Sequence, residues 1–277
     1  MIVTIDVVRT RGPGGPLAAY RVWREAKRAW DRGPGSSMPG RTVVGAQYTF
    51  RGERVHAPWG PKPRVLPNVL RADGWGWIPT LMRVMILTRW EDEGALRAFE
   101  ATDPWPRGAE HWHARLRPVK VKGEIEGEQH LGDFLAARGT DDEPGVMITW
   151  NKMRIWRLPA FRLWVRRIAD DQQVAPGSLA SFNAADMLRP FWFKAFTISC
   201  WEHLGDAVAW AYKREPHKSV IKWYGNPHRF GEPWWGRFVV EESRGTLAGR
   251  DPFEGIELSP APAPVAAPAP AVEAAAS

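Results

Sequence analysis

The sequence predicts an α+β fold built from two tandem ferredoxin-like units packed sheet to sheet within one chain. Three observations predict it: an internal duplication, an order of elements that repeats, and a bare sheet face in each unit that the other unit can cover. The duplication is carried by three blocks that recur in the same order. Ala19-Tyr20-Arg21-Val22-Trp23 returns as Ala160-Phe161-Arg162-Leu163-Trp164. Trp90-Glu91, followed by Gly94, Ala98 and Phe99, returns as Trp201-Glu202, followed by Gly205, Ala209 and Trp210. Trp112, Arg115-Leu116, Gly123 and Gly127 return as Trp234, Arg237-Phe238, Gly245 and Gly249. Ordered blocks with shifting spacing mark a duplicated unit whose loops have diverged.

Each unit opens on an alternating strand, 2–8 and 146–153. A helix follows. Ala19, Trp23, Ala26 and Trp30 fall at helical spacing in the first copy, and Phe161, Trp164, Val165 and Ile168 in the second. Gly33-Pro34-Gly35 ends the first helix. Two strands come next, 42–50 and 82–89 in one copy, 178–184 and 193–200 in the other. A second helix starts after each Trp-Glu pair; in the second copy Leu204, Ala207, Val208 and Ala211 form its buried stripe. A last strand, 114–121 or 237–241, closes the unit. Strand, helix, strand, strand, helix, strand is the split βαβ pattern. Helices cover one face of such a sheet and leave the other bare, so two units facing each other make an α/β barrel, with room for a pocket between the sheets. The expected boundaries are 1–130 for the first repeat, with a long Pro/Gly/Trp-rich loop at about 51–80, 131–144 for a linker, 145–256 for the second repeat, and 257–277 for a Pro/Ala tail. The tail holds too little apolar side chain to offset its ordering entropy, which predicts disorder.

Composition narrows the function classes. The chain has 277 residues and is 44% hydrophobic, with no apolar run of the roughly 20 residues that a spanning helix needs. Its start runs straight into strand-like alternation and lacks the basic start and apolar stretch of a signal peptide. The single cysteine, Cys200, excludes an internal disulfide and a thiolate metal cage. A cytoplasmic protein is expected. The net charge of +7 raises nucleic acid as a partner, but the basic residues are interleaved with acidic ones outside 162–167, so no nucleic-acid partner is expected. Peripheral contact with the anionic inner face of a membrane suits the charge equally well. Seventeen tryptophans supply core and, beyond it, walls for a large, flat, apolar substrate or cofactor.

No Gly-rich phosphate loop, zinc spacing or nucleophile elbow is present. Asp141-Asp142-Glu143 and Asp170-Asp171 flank turns and read as solvated faces. His111 and His113 lie two apart ahead of a strand and share one face, but two ligands are too few for a closed metal site. His217 differs from the other histidines because it lies in the insertion specific to the second copy, Glu215-Pro216-His217-Lys218. Residues 216–223 suit a short helix with Pro216 in its first turn, which sets His217 beside Val220, Ile221 and Trp223. On these residues alone an ordinary half-buried histidine and a haem axial ligand both stay open.

A longer series of blocks in the second copy bears on that choice. Gly145-Val146-Met147-Ile148-Thr149, Phe161-Arg162-Leu163-Trp164 and Phe196-Thr197-Ile198-Ser199-Cys200-Trp201 come first. Ala209-Trp210-Ala211-Tyr212, Pro216-His217, Val220-Ile221, Trp223-Tyr224, Arg237-Phe238 and 245–252 follow in order. The series resembles the spheroidene monooxygenase family of carotenoid-oxidising proteins. The first copy is similar only at Thr88-Arg89-Trp90-Glu91 and Ala95-Leu96-Arg97-Ala98-Phe99. The resemblance implies a fold of the dimeric α/β-barrel type, haem as cofactor, and oxygen insertion into a carotenoid or another large lipid-like substrate. It makes His217 the ligand of the haem iron. Arg214 and Lys218, its neighbours, become candidate partners of the haem propionates, and Trp201 and Phe196 candidate walls of the substrate pocket. With no flavin or nicotinamide fingerprint in the chain, electrons are expected from an external reductase. The rival readings are a cofactor-free α/β-barrel oxygenase or isomerase with His217 as base, and a non-enzymatic haem or small-molecule carrier.

Overall fold

Apolar residues at alternate positions put Val3, Ile5 and Val7 on one face of the first strand, β1 (Ile2–Arg9), and the strands at 83–90, 110–122, 145–154, 178–186, 192–201 and 234–245 also turn residues to that inner cluster. The computed structural model describes residues 2–10, 17–22, 24, 38–50, 53–56, 83–90, 92–124, 134–135, 140–186, 192–215, 217–224 and 234–258. After β1 come helical residues 17–22 (α1), β2 (Met38–Phe50), β3 (Glu53–His56), β4 (Arg83–Trp90), α2 (Glu93–Glu100), β5 (Glu110–Lys122) and β6 (Phe134–Leu135). The second half holds β7 (Gly145–Arg154), α3 (Leu158–Gln173), β8 (Ser178–Asp186), β9 (Trp192–Trp201), α4 (Leu204–Lys213), α5 (His217–Tyr224) and β10 (Trp234–Gly245).

The strands run β2-β4-β1-β5 in the first repeat and β8-β9-β7-β10 in the second, the ferredoxin-like order in both, with every pairing antiparallel. The two sheets also join along both edges. β2 pairs with β8, and β5 pairs with β10 from Lys122↔Trp235 to Trp112↔Gly245. Eight strands therefore close into a ring, with β3 and β6 attached outside it to β2 and β5. Closure removes the exposed edges that each half-sheet would otherwise present.

The ring encloses one core. Trp112, Trp150, Trp234, Phe182 and Phe238 are fully buried in it, and Trp112 meets Phe182 edge-on at 5.9 Å. An eight-stranded ring is about wide enough for side chains to pack into, and the described inward-facing ones form one cluster. Cys200 lies in this core, where burial pushes its thiol up, so it supplies no thiolate. Residues 246–258 pack Leu247 and Phe253 against the same cluster. The indole of Trp112 donates to Ser243 Oγ at 3.0 Å, and Ser243 donates to Asp251 at 2.6 Å, tying this closing segment to β5.

Gly245 makes the turn into that segment. Its φ is +80°, and a Cβ there would lie 2.0 Å from the backbone oxygen of His111, which accepts from Thr246 N at 2.9 Å. Gly245→Ala is expected to cost more than about 1 kcal/mol, since left-handed backbone strain and a backbone clash add. Urea unfolding of the purified variant checks it; a loss under about 0.5 kcal/mol would refute the close approach.

Several sequence-based expectations shift. The strand expected at 114–121 spans Glu110–Lys122, so His111 and His113 lie inside it rather than ahead of it. Within the expected 51–80 loop, Glu53–His56 forms a hairpin with β2, while 57–80 lies outside the described residues, as do Gly33-Pro34-Gly35 and 259–277. The expected linker 131–144 contains β6. The buried stripe of α4 is Leu204, Ala207, Trp210 and Ala211, with Trp210 taking the place assigned to Val208. No helix among the described residues is long and apolar enough to cross a membrane.

Candidate cofactor site

The outer face of each half-sheet lies beneath its helices, and the duplication has left a matching aromatic stack there. Trp90 ends β4 and Trp201 ends β9. The indole of Trp90 donates to Thr4 Oγ1 at 2.9 Å, and that of Trp201 to Ser199 Oγ at 2.8 Å. Each ring then meets an aromatic residue of the following helix: Trp90 meets Phe99 at 5.0 Å, and Trp201 meets Trp210 at 5.3 Å between centroids. Both stacks end on imidazole. In the first repeat Phe99 leads through Trp105 to His111, and in the second Trp210 reaches His217 directly at 4.5 Å.

His217 opens α5, eight residues that follow α4 closely. Its Nδ1 lies 2.9 Å from the carbonyl oxygen of Ala211 in the last turn of α4. A carbonyl only accepts, so Nδ1 carries the hydrogen, and the bond satisfies one of the carbonyls that a helix end leaves open. Desolvation lowers the pKa of His217, against smaller opposing effects of the Ala211 bond and Asp171. The imidazole is thereby held neutral, its tautomer fixed and the lone pair on Nε2. Trp210 is locked from its other end, its indole donating to Asp171 Oδ2 at 2.7 Å. Asp171 Oδ1 also pairs with Arg214 at 3.1 Å. Asp171 is therefore a clamp between α3 and α4 rather than part of a solvated face, and Arg214 is bound to it. Lys218 is exposed.

The two proposed pocket walls separate. Trp201 is in the layer between sheet and helices with Trp210, Ala207 and Ala211, whereas Phe196 is in the barrel core. The two positions lie an odd number of residues apart on one strand, so they face opposite ways. Only Trp201 shares a layer with His217.

Two further polar groups enter that layer. Arg237 pairs across the ladder with Met147, and Met147 with Ser199, which aligns all three on the outer face of the second sheet. Arg237 Nε is buried without a hydrogen-bond partner among the described residues, as is Gln172 Nε2 on α3. The matching Arg115 of the first repeat is paired with Glu93 at 2.6 Å and Glu241 at 3.1 Å. Neither Arg237 nor Gln172 was singled out from the sequence. The available signal for Arg237 was its place in the duplicated block, where its partner carboxylate Glu93 is replaced by Leu204. On the first sheet, Asp6 lies against both His111 and His113, supplying the third group that their spacing alone lacked.

No protein-family model matches the chain, and no curated protein matches it. Among solved structures it is similar to an aldoxime dehydratase in complex with butyraldoxime, at 10% identity over 86% of this chain and 79% of that one, with a TM-score of 0.50. It also resembles a ferredoxin-fold protein from Listeria monocytogenes 4b F2365, related to antibiotic biosynthesis monooxygenases, at 11% identity, 87% and 96% coverage and a TM-score of 0.32. A heme-degrading enzyme from Listeria monocytogenes matches at 11% identity, 84% and 98% coverage and a TM-score of 0.29. The first of these agrees with the fold described above.

Proposed function

We propose that the chain is a haem-dependent monooxygenase acting on a large apolar, carotenoid-like substrate, with His217 as the axial ligand on the helix-covered face of the second sheet. The observation that carries this reading is the His217 bond to Ala211. It fixes Nδ1 as donor and leaves a neutral Nε2, the form of imidazole that ligates a metal, with a carbonyl behind it to raise its basicity. The side chains around it are of the types that hold haem: Trp201 and Trp210 form a buried aromatic layer that would have to part to admit a flat apolar ring, and Arg237 Nε is a buried donor for a carboxylate. With Arg214 held by Asp171, Arg237 takes over the propionate role first given to Arg214 and Lys218. Haem, when bound, supplies the iron that binds oxygen. The chain supplies orientation, apolar walls and exclusion of water, and electrons come from a separate reductase.

The test is the absorbance of protein purified from haem-supplemented cells. The wild type is expected to show a haem Soret band and His217→Ala to lose it. Arg237→Met is expected to retain a weakened haem complex, the buried Nε donor being lost. A colourless, folded wild type, or a His217→Ala protein with an unaltered band, overturns the assignment.

A further inference from the structure

Asp6, His111 and His113 form a second cluster, on the outer face of the first sheet and in the other repeat from His217. Asp6 faces His113 directly across the β1–β5 ladder, and His111 is the diagonal neighbour two positions along β5. Asp6 Oδ1 lies 2.8 Å from His111 Nε2 and 2.8 Å from His113 Nδ1, and the three ligand atoms all fall within 4.8 Å of one another. A first-row metal about 2.1 Å from each atom would hold them roughly 3.0–3.4 Å apart, so the two Asp6 contacts widen by a few tenths of an ångström and the two imidazole nitrogens, within 4.8 Å of each other, come to the same range by small side-chain rotations.

From this geometry we infer that Asp6, His111 and His113 bind one divalent first-row transition metal, with the remaining coordination positions open to water. Two imidazoles and one carboxylate suit zinc or iron(II), while magnesium and calcium favour all-oxygen shells. The surroundings are pre-organised. Trp105 stacks on His111 at 4.3 Å. The His111 carbonyl is fixed by Thr246 N, and beside the site Val8, Ala19, Val22, Val84 and Ile86 form an aliphatic wall. The side chains of Asp6 and His113 are 3% and 4% exposed, and that of His111 is 21% exposed, so entry lies on the His111 side. A closed structural site has four protein ligands, whereas three with one open flank is the pattern of a site that keeps water.

The test uses the full-length, tag-free chain after dialysis against chelator, titrated with Zn²⁺ in a calorimeter. One Zn²⁺ per chain with a Kd below about 10 μM is expected, with no heat from Mg²⁺ and with His217→Ala behaving as the wild type. His111→Ala, at the exposed edge, is expected to weaken Zn²⁺ binding by about 100-fold or more while keeping the wild-type circular dichroism spectrum. If His111→Ala fails to fold, Asp6→Asn serves in its place, and the gain in Tm with added Zn²⁺ that is expected for the wild type should vanish. Wild-type binding weaker than about 10 μM, or binding that survives both substitutions, overturns the site.

Discussion

Truncating Phe196 to alanine is expected to lower folding stability by about 3–5 kcal/mol and to leave the haem band of the surviving folded protein unchanged. Phe196 is buried in the cluster that fills the barrel, on β9 next to Ile198 and Cys200 of the same inner face. Removing its ring opens a cavity that the closed ring of strands cannot collapse around, which is what sets the cost of such truncations. Trp210→Phe should behave in the opposite sense. It keeps an aromatic ring in α4 but loses the indole bond to Asp171, a stability cost of about 1 kcal/mol. It also unlocks the ring against which His217 rests, so haem retention should fall. Guanidinium unfolding and the Soret absorbance, measured on both variants, separate the two layers. If Phe196→Ala folds but loses haem, the cofactor sits inside the barrel and the outer-layer site is wrong.

The contrast between these two residues also shows what was readable before the structure. The duplication and the alternation of apolar residues were enough to order the strands within each half, because the same split βαβ pattern had to satisfy both copies. The parity that separates Phe196 from Trp201 was equally present in their numbers. A barrel followed from the two bare faces, but which edges join was not readable, since nothing local distinguishes β2 and β5 from edges that end in solvent; their partners β8 and β10 lie far along the chain. The Asp6 cluster illustrates the same limit. A lone carboxylate within an apolar strand is a visible signal, but its meaning depends on the β1–β5 register that sets it opposite His113. His217 stands out in the sequence as a candidate because the two copies differ there. The unpartnered Nε of Arg237 was hidden because the arginine is kept in both copies, and what changed is the residue opposite it, Glu93 facing Arg115 in one copy and Leu204 at the matching position in the other.

That buried carboxylate makes the stability of the metal-free protein depend on pH with a defined sign. Burial alone would raise the pKa of Asp6, but His113 and His111 outweigh it and bring the value from 3.8 down to about 2. A folded-state pKa below the unfolded one means that the unfolded chain binds the proton first. The stabilisation is therefore fully present above about pH 4 and is lost as pH falls through about 2, and a shift of this size corresponds to about 2 kcal/mol. His217, whose pKa is also lowered, acts in a different window: the unfolded histidine takes up its proton below about 6.5 while the folded one stays neutral, so stability declines from there toward the folded value and then levels. Urea unfolding of the wild type minus that of Asp6→Asn, followed from pH 5 to pH 2, should shrink toward zero at the acid end. The difference against His217→Ala should instead begin to change as pH falls below about 6.5. A wild-type minus Asp6→Asn difference that stays constant across the acid range would mean that the two histidines do not hold Asp6 ionised, and the cross-strand geometry of the cluster would have to be redrawn.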